Sequence, residues 1–444
     1  MNIAKIKSIN EKMPYWMKRP FVKLIRRKLI NNSQFLGTYE SLLRLDKMSE
    51  GEIEEEQKKK LNNVLRHAYS HSKYYHCLFA ESGFTPDDDL HEISDLQKLP
   101  ILTKEQLKAN LDDIVADDIS NYYPVTTGGT SGEPTKVMMS KDAIYKEWAF
   151  IYHYWSKFGY DYKRSRLATF RGIEMKDKMS EINPLYAEIR MNPFILNLDN
   201  VEQYVKAIQQ YKAEFIYGYP SAIYNFCRLA EKRGIELSGV FKAVLFISEN
   251  LYDFQETLIR KFLQCPIVMF YGHSERAVFA EKYEHGYKFN PFYGITEVGN
   301  NGELIVTGFI NSKTPLIRYI VDDYAEEKQK GYFDIFGHRN SDIIFGKNGE
   351  QIRASLLNFH GELFDKYGQI QILQEKAGEL VIRIPRSSEK YDGEAKTIID
   401  KMNSLLNGQF KVSIKYVDNL ELTARGKYKF LIQRINATSE NENG

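Results

Sequence analysis

The chain has 444 residues, of which 43% are apolar and 13% aromatic, so it is long enough to build more than one hydrophobic core. Its 61 lysine and arginine residues nearly balance its 59 aspartate and glutamate residues, and this charge gives no argument for a nucleic-acid partner. The sequence has no apolar run of about 18 residues, no secretory signal pattern and three cysteines far apart. We therefore expect a cytoplasmic protein without a membrane span or a disulfide framework.

The first 30 residues differ from this balance. Residues 1–30 carry nine lysines and arginines against the single acid Glu11, and apolar residues are interleaved with them. This pattern is typical of a basic amphipathic segment that lies on an anionic membrane surface. A solvated helix packed against the body of the protein explains the pattern equally well, so peripheral membrane contact is one of two interpretations.

Helices dominate the next part of the chain. Residues 52–81 have the apolar spacing of one long helix, and His67 and His71 lie four positions apart within it. No carboxylate joins these histidines in the pattern of a known metal-binding helix, so we interpret them as exposed or packed helix residues. Farther along, Thr103 and Gln106 form a capping-box pair that predicts the start of another helix.

A run of glycine and hydroxyl residues closed by a lysine occupies positions 126–136. Glycines would let backbone N–H groups approach a phosphate, hydroxyls would add donors, and Lys136 would add a positive charge. The run has neither the Walker order nor the G-x-G-x-x-G order, and a surface turn explains the same composition. Because 141–158 has a helical pattern, we expect the loop to precede a helix whose N-terminal amides favour an anion.

Strands and helices alternate from about 165 to 275, which predicts a largely parallel sheet covered by helices. The predicted strands are 166–170, 215–217, 243–247 and 267–270, and the predicted helices are 200–211, 221–233 and 252–263. Ligands of such sheets collect at the carboxyl ends of the strands. The segments 246–250 and 270–275 are therefore the first places to look for a site.

A different rhythm follows, of short strands and turns up to 337 and then of a small α+β block. The predicted strands of the first part are 287–290, 303–307, 316–319 and 332–336. The second part has a strand at 343–345, a turn at 347–350, helices at 354–366 and 391–406, two strands between them, and strands at 412–417 and the end. We expect a mixed α/β protein with a large N-terminal domain (1–338), a small mobile C-terminal domain (339–437) and a disordered tail (438–444).

Five separated motifs occur in one order along the chain. They are the loop 126–136, Tyr271-Gly272-His273-Ser274-Glu275, Arg318-Tyr319-Ile320-Val321-Asp322-Asp323, Gly337-His338-Arg339-Asn340-Ser341-Asp342, and Thr423-Ala424-Arg425-Gly426-Lys427. This ordered set resembles the adenylate-forming enzymes, the superfamily of acyl-coenzyme A synthetases and peptide-synthetase adenylation domains. The resemblance is closest to the phenylacetate–coenzyme A ligase-like branch, which includes members associated with capsular polysaccharide genes, and it covers roughly residues 60–434.

The resemblance implies an ATP- and Mg²⁺-dependent ligase that forms an acyl adenylate and passes the acyl group to coenzyme A, a carrier thiol, or an amine of a sugar or amino acid. It implies that Lys427 stabilises the adenylation transition state from the C-terminal domain, and that Glu275 holds Mg²⁺. Lys429 takes the place of Lys427 if the alignment is shifted. Asp342 falls near the residue that acts as the family's hinge.

The nucleotide contacts follow from the same resemblance. The implied ATP-binding residues are Thr127, Gly128, Gly129, Thr130, Ser131, Gly132, Lys136, Ser248, Glu249, Tyr271, Gly272, Ser274, Asp323 and Arg339. Tyr271 would stack near the adenine, and Asp323 would accept hydrogen bonds from the two ribose hydroxyls. Asp322 is the alternative to Asp323 in a gapped alignment.

The carboxylic acid substrate would lie against a wall of aromatic residues. The predicted pocket residues are Tyr217, Gly218, Tyr219, Pro220, Arg171 and His273. They favour an aromatic or hydrophobic acid, although ordinary core packing explains the same composition. Two other functions stay open: a nucleotide-binding homologue without catalysis, and an adenylyltransferase that keeps AMP in its product. The presence of both Glu275 and Lys427 favours the ligase over a silent homologue.

Overall fold

The computed structural model describes residues 32–126, 135–171, 175, 178–336, 343–347, 351–353, 370–386, 395–406, 410–422 and 428–435. The chain divides into two compact units, and each is described by itself. The first unit contains Met1–Arg164, Pro184–Tyr186 and Val268–Gly337. The second contains Ser165–Asn183, Ala187–Ile267 and His338–Gly444.

The first unit begins with a group of helices. They are α1 (Ser33–Leu45), α2 (Glu50–His71), α3 (Lys73–Ser82), α4 (Pro86–Asp89), the 3₁₀ helix Ile93–Lys98, α5 (Lys104–Ala109), α6 (Leu111–Ile114) and α7 (Ala143–Ser156). The predicted capping box is confirmed, because the Thr103 N–H donates to Gln106 Oε1 at 2.8 Å and the Gln106 N–H donates to Thr103 Oγ1 at 3.2 Å. Among the described helices, none has both the length and the apolar character that crossing a membrane requires.

The prediction of one helix over 52–81 is wrong at a single residue. Ser72 lies between α2 and α3 with extended backbone angles. Its hydroxyl accepts a hydrogen bond from the Tyr75 N–H at 3.4 Å and donates to the Asp113 carbonyl oxygen at 3.0 Å. The apolar spacing continues through this break because both helices bury their inner faces, so periodicity alone does not reveal it.

Antiparallel strands form the sheet of the first unit. Besides the hairpin of β1 (Tyr122–Thr126) and β2 (Lys136–Ser140), the strands are β8 (Ile267–Gly272), β9 (Phe279–Tyr283), β10 (Gly286–Phe289), β11 (Gly294–Val298), β12 (Glu303–Gly308), β13 (Tyr319–Gln329) and β14 (Tyr332–Phe336). Their order is β11-β12-β13-β14-β10-β9-β8. The prediction of a strand at 316–319 is wrong, since β13 begins only at Tyr319, after Arg318 with a positive φ of 49°.

The second unit contains the predicted parallel sheet. Its elements are β3 (Leu167–Phe170), β4 (Ser180–Asn183), β5 (Glu188–Met191), α8 (Val201–Tyr211), β6 (Phe215–Gly218), α9 (Pro220–Lys232), β7 (Ala243–Phe246) and α10 (Asp253–Leu263). The order is β7-β6-β3-β5-β4, and every neighbouring pair is parallel except β5 with the edge strand β4. The strands β4 and β5 were not predicted, because their short, mixed sequences lack the alternation of the others.

The end of the same unit holds a smaller group of strands with one helix. Its elements are β15 (Ile343–Phe345), β16 (Gln351–Arg353), β17 (Gln371–Gln374), β18 (Glu379–Pro385), α11 (Ala395–Leu405), β19 (Lys411–Val417) and β20 (Leu431–Gln433). The strands β15 and β16 form a separate antiparallel pair, and the other four strands form one sheet in the order β19-β18-β17-β20. Side chains such as Ile372, Ile382, Ile398 and Met402 form one buried core between this sheet and α11. The α+β arrangement predicted for this part is confirmed; the predicted helix at 354–366 lies outside the described residues.

Candidate active site

The hairpin β1–β2 brackets the predicted phosphate loop. Thr126 and Lys136 face each other across the antiparallel pair, and Lys136 is exposed. Residues 127–134, which include Thr127, Gly128, Gly129, Thr130, Ser131 and Gly132, lie outside the described residues. The helix predicted after the loop is confirmed as α7, but strand β2 stands between the loop and the start of that helix. The α7 amides therefore give no argument for phosphate binding by this loop.

Two motifs that are 50 residues apart in sequence meet at one carboxylate in the first unit. Asp323 Oδ2 accepts a hydrogen bond from the Tyr271 hydroxyl at 2.8 Å and lies 2.8 Å from His273 Nε2. The Tyr271 hydroxyl and the His273 ring also contact each other. Burial, with the Asp323 charge adding to it, raises the pKa of Tyr271 well above its usual value. Tyr271 therefore stays a neutral donor near neutral pH. We call these three residues the Asp323 network.

Glu275 lies on the turn after β8 and is only 8% exposed. Within the described part of the chain its side chain makes no hydrogen bond or ion pair. An ionised carboxylate taken out of water needs a cation or donors to offset its desolvation. A hard divalent cation such as Mg²⁺ prefers oxygen ligands of this kind. The residue that the sequence assigns to Mg²⁺ thus fits that role in its surroundings.

The residue after Glu275 anchors this turn. Arg276 has a positive φ of 53° and its guanidinium pairs with Glu147 on α7, with 2.6 Å between Nε and Oε2. Burial lowers the pKa of Arg276, but the Glu147 carboxylate, together with Tyr123 and Tyr293, raises it overall. Arg276 also donates to the Tyr123 hydroxyl at 3.4 Å. Sequence reasoning missed this pair, because Glu147 is 129 positions away and belongs to no motif.

In the second unit the predicted substrate residues gather at the ends of β3 and β6. Gly218 has φ +151°, and a Cβ atom placed on it would lie 1.9 Å from the Phe170 carbonyl oxygen. That oxygen accepts a hydrogen bond from the Tyr219 N–H at 2.9 Å. Only glycine fits so close an approach between the two strand ends. Close packing of the two backbones is therefore sufficient reason for a glycine at position 218, which the sequence analysis places in the pocket wall.

Arg171 follows β3 and lies over Tyr217, with 5.7 Å between the guanidinium carbon and the ring centroid. Tyr217, Tyr219 and the acid Glu188 favour the charged guanidinium, and its pKa is raised. The structure thus brings five of the six predicted pocket residues together, including Pro220, which is buried at the start of α9. His273, predicted for the same pocket, is instead part of the Asp323 network, and its pocket role stays a prediction.

Glu188 is a buried acid that sequence reasoning missed. Its carboxylate accepts hydrogen bonds from Thr169 Oγ1 at 2.8 Å, Asn183 Nδ2 at 2.8 Å and Arg190 Nε at 2.9 Å. These partners satisfy the charge, so Glu188 positions β3 and β5 beside Arg171. The unpredicted strand β5 is the reason that no signal pointed to it.

Ser248 and Glu249 follow β7. Ser248 is exposed and has a positive φ of 63°, a strained conformation for a residue with a side chain. Glu249 accepts hydrogen bonds from the Ser221 N–H at the start of α9 (3.1 Å) and from the Tyr428 N–H (2.8 Å). Tyr428 is the neighbour of the predicted catalytic lysine. Lys427 itself, like Arg339 and Asp342, lies outside the described residues.

A cavity of about 380 Å³ lies elsewhere in the first unit, among α1, α2, α7 and the segment 308–315. It contains Lys60 and Lys146 beside Phe150 and Phe292. Burial lowers the pKa of Lys60, whose ammonium group lies 5.0 Å from the centre of the Phe292 ring. None of the predicted site residues lines this cavity, so it is separate from the candidate active site.

Comparison with known proteins gives a consistent result. Residues 344–434 match the family model described as the CapK C-terminal domain. Protein CapK of Staphylococcus aureus is 24% identical over 368 residues, which cover 77% of this chain and 81% of CapK. The phenylacetate-coenzyme A ligase of Escherichia coli K12 is 26% identical over 311 residues, which cover 63% of this chain and 68% of that enzyme.

A solved structure shares the fold. It is 2-hydroxyisobutyryl-CoA ligase in the postadenylation state with 2-HIB-AMP, with a TM-score of 0.62, 17% sequence identity, and coverage of 87% of this chain and 90% of the ligase. The fold is therefore that of the acyl-CoA ligases, a mixed α/β class with a small C-terminal domain. The sequence relatives, CapK and a phenylacetate-coenzyme A ligase, agree with the resemblance to the phenylacetate–coenzyme A ligase-like branch that the ordered motifs indicate.

Proposed function

We propose that this chain is an ATP- and Mg²⁺-dependent carboxylate ligase that forms an acyl adenylate and transfers the acyl group to an acceptor. The observation that carries the proposal is the meeting of separate motifs in the first unit. Tyr271 and His273 contact Asp323 across 52 and 50 positions of sequence. The buried Glu275, which makes no hydrogen bond or ion pair with the described residues, follows on the same turn. Both features are expected of a nucleotide site with a divalent cation.

Each residue has a definite task in this scheme. Asp323 is the acceptor for the ribose hydroxyls, and Tyr271 and His273 hold its carboxylate in place. Glu275 would hold Mg²⁺, which supplies charge neutralisation for the phosphates when it is bound. Lys136 and the loop before it would contact the phosphates beyond the α-phosphate, and Arg339 and Ser274 would complete the nucleotide contacts.

The acid would bind at the second-unit cluster. Arg171 offers a half-buried cation to a carboxylate, and Tyr217, Tyr219 and Pro220 offer apolar surface. An aromatic or hydrophobic acid suits that combination. The named relatives of this chain include phenylacetate-coenzyme A ligases, which makes coenzyme A one acceptor to test. The resemblance to branch members associated with capsular polysaccharide genes makes an amine on a sugar the other acceptor to test, with a proposed role in cell-surface polysaccharide synthesis.

Lys427 would complete the site from the small domain that we propose for 339–437. The hydrogen bond from the Tyr428 N–H to Glu249 holds the backbone beside this lysine. A lysine there would stabilise the charge that develops between the carboxylate and the α-phosphate. Glu249 is then a positioning residue for the lysine as well as a candidate nucleotide contact.

The test is ATP–pyrophosphate exchange with a panel of aromatic, aliphatic and hydroxy acids, followed by product analysis with coenzyme A and with amino sugars. A productive acid should release pyrophosphate only with Mg²⁺, and mass spectrometry should find AMP released and the acyl group in the product. AMP retained in the product would instead establish adenylyl transfer. ATP binding without exchange by any acid would establish a silent homologue.

The variant Lys427→Ala should lower the adenylation rate by about 10²–10³-fold, because it removes a charge that acts in the transition state. Acyl transfer from a presynthesised acyl adenylate should stay largely intact. Lys429→Ala is the matched control, two positions away, and should keep both steps. If Lys429→Ala loses adenylation and Lys427→Ala does not, the catalytic lysine has been assigned to the wrong position.

A further inference from the structure

Four side chains of metal-binding type meet on the surface of the first unit. His67 and His71 come from the last turns of α2, and Asp117 and Asp118 come from the turn after α6. His71 Nδ1 lies 3.0 Å from Asp117 Oδ1, and His71 Nε2 lies 3.9 Å from Asp118 Oδ2. His67 Nε2 lies 3.1 Å from Asp118 Oδ1. The sequence pattern contains no such carboxylates, because the aspartates are about 46 to 51 positions away from the histidines.

The backbone holds these residues in place independently of their side chains. The i, i+4 spacing puts both histidines on one face of α2, with their ring centroids 5.1 Å apart. The Asp117 N–H donates to the His71 carbonyl oxygen at 2.9 Å, so the turn is attached to the end of the helix. On its other side the Ala116 N–H donates to the Lys313 carbonyl oxygen at 2.9 Å. The backbone positions of the four residues are therefore set before an ion binds, so binding orders only their side chains.

We propose that His71, Asp117 and Asp118 bind a divalent transition-metal ion, with His67 as the fourth ligand beside Asp118. Ligand atoms of the first three residues lie within 4.8 Å of one another. Bond lengths of about 2.0–2.2 Å place the ligands of a tetrahedral ion roughly 3.3 Å apart, so small side-chain rotations suffice. An ion bound by one ring nitrogen of His71 leaves the other nitrogen free to donate to an aspartate, which fixes the ring.

The ligand types select the ion. Two imidazoles and two carboxylates suit Zn²⁺, with Co²⁺ and Ni²⁺ as laboratory substitutes, whereas Mg²⁺ and Ca²⁺ prefer sites made of oxygen alone. The side chains are 25% to 81% exposed, so an ion can enter from solvent. The site differs in this respect from Glu275, which is buried and offers only oxygen. A bound ion would cross-link the end of α2 to the turn at 116–118.

The experiment is Zn²⁺ titration of the chelator-treated full chain by calorimetry, in a Cys77→Ser background because Cys77 is an exposed thiol. We expect one site and a higher unfolding temperature with Zn²⁺. His71→Ala and Asp118→Asn should each weaken binding by more than about tenfold, as loss of a ligand or of its hydrogen-bonded partner does. His76→Ala is the matched control, since His76 lies on α3 and contacts the Tyr69 carbonyl oxygen instead.

Co²⁺ supplies a second measurement, because its visible absorption reports the coordination number of the bound ion. Bound Co²⁺ should show the intense visible absorption of a four-coordinate ion, and His67→Ala should reduce it. One-to-one Zn²⁺ binding that His71→Ala and Asp118→Asn both leave unchanged would overturn the proposal, as would no binding by a correctly folded chain. Because His71 lies outside the proposed active site, pyrophosphate exchange with Mg²⁺ should be the same in His71→Ala and in the parent chain.

Discussion

In the first unit, Tyr271, His273 and Asp323 hold one another through side-chain hydrogen bonds of 2.8 Å. In the second unit, the backbone conformation fixes the candidate site residues at the strand ends. Gly218 at the end of β6 has φ +151°, and Ser248 after β7 has φ +63°. The first arrangement depends on which groups the side chains carry. The second depends on whether a side chain is tolerated at all, because a Cβ atom on Gly218 would overlap the Phe170 carbonyl oxygen.

This difference predicts how each region responds to substitution. Loss of one member of a hydrogen-bonded network that includes a charged group lowers the free energy of unfolding by about 1.5–3 kcal/mol and leaves the fold intact. Loss of a required backbone conformation displaces whole strand ends and so affects stability and activity together. The Asp323 network is thus the better place to change nucleotide binding, and the strand ends are the better place to test the fold.

The largest effect is expected for Gly218→Ala. The new methyl group would lie 1.9 Å from a backbone oxygen, and φ +151° is disfavoured for alanine. We expect the free energy of unfolding to fall by about 3 kcal/mol or more, measured by urea denaturation. Gly234→Ala is the control, since Gly234 has φ +69° but no atom within 4 Å, and should cost only about 1 kcal/mol. Equal losses in the two variants would show that the close approach to Phe170 is unimportant.

Asp323→Asn should raise the KM for ATP by about 10–100-fold and lower the thermal unfolding temperature by only a few degrees. The amide keeps the shape of the carboxylate but accepts hydrogen bonds more weakly and carries no charge. Steady-state pyrophosphate release against ATP concentration measures the effect. Asp334→Asn, at a partly exposed position of β14, is the control and should keep the parent KM. An unchanged KM in Asp323→Asn would move the ribose contact to Asp322.

Glu249→Ala separates two roles in the second unit. If Glu249 acts mainly by accepting the Tyr428 N–H, the adenylation rate should fall about fivefold while the KM for ATP stays constant, since one hydrogen bond contributes about 1 kcal/mol. Glu256→Ala on α10 removes a surface ion pair with Arg260 and should have no effect. A higher KM with an unchanged rate would show that Glu249 contacts the nucleotide instead.

The smallest effect is expected for Ser248→Gly. Glycine adopts φ +63° without strain, which stabilises the folded state. It also increases the conformational entropy of the unfolded chain, and the two effects on the free energy of unfolding nearly cancel. The free energy of unfolding should stay within about 1 kcal/mol of the parent value. A raised KM for ATP in this stable variant would assign the Ser248 hydroxyl to the nucleotide, and loss of stability beyond that range would contradict the strain that we infer.

Sequence patterns located most of the strands and helices that position the site. The parallel sheet that contains β3, β6 and β7 and the capping box at Thr103 are confirmed. The alternation of strands and helices and the cap are each visible as local patterns along the chain. Ser72 shows where such reasoning fails. Its break between two helices depends on a hydrogen bond to Asp113, 41 positions away, which no local pattern contains. The unpredicted strand β5 hid Glu188 for the same reason.

The sequence by itself determined the order of the motifs, the alternation of strands and helices and the candidates Glu275 and Asp323. Only the tertiary structure decided which distant groups meet: Asp323 with Tyr271 and His273, Arg276 with Glu147, and His71 with Asp117 and Asp118. The spacing of apolar and capping residues can be recognised in the sequence because it follows from the geometry of a single helix or strand. Contacts across tens of residues depend on how those elements pack, and packing is a property of the folded chain.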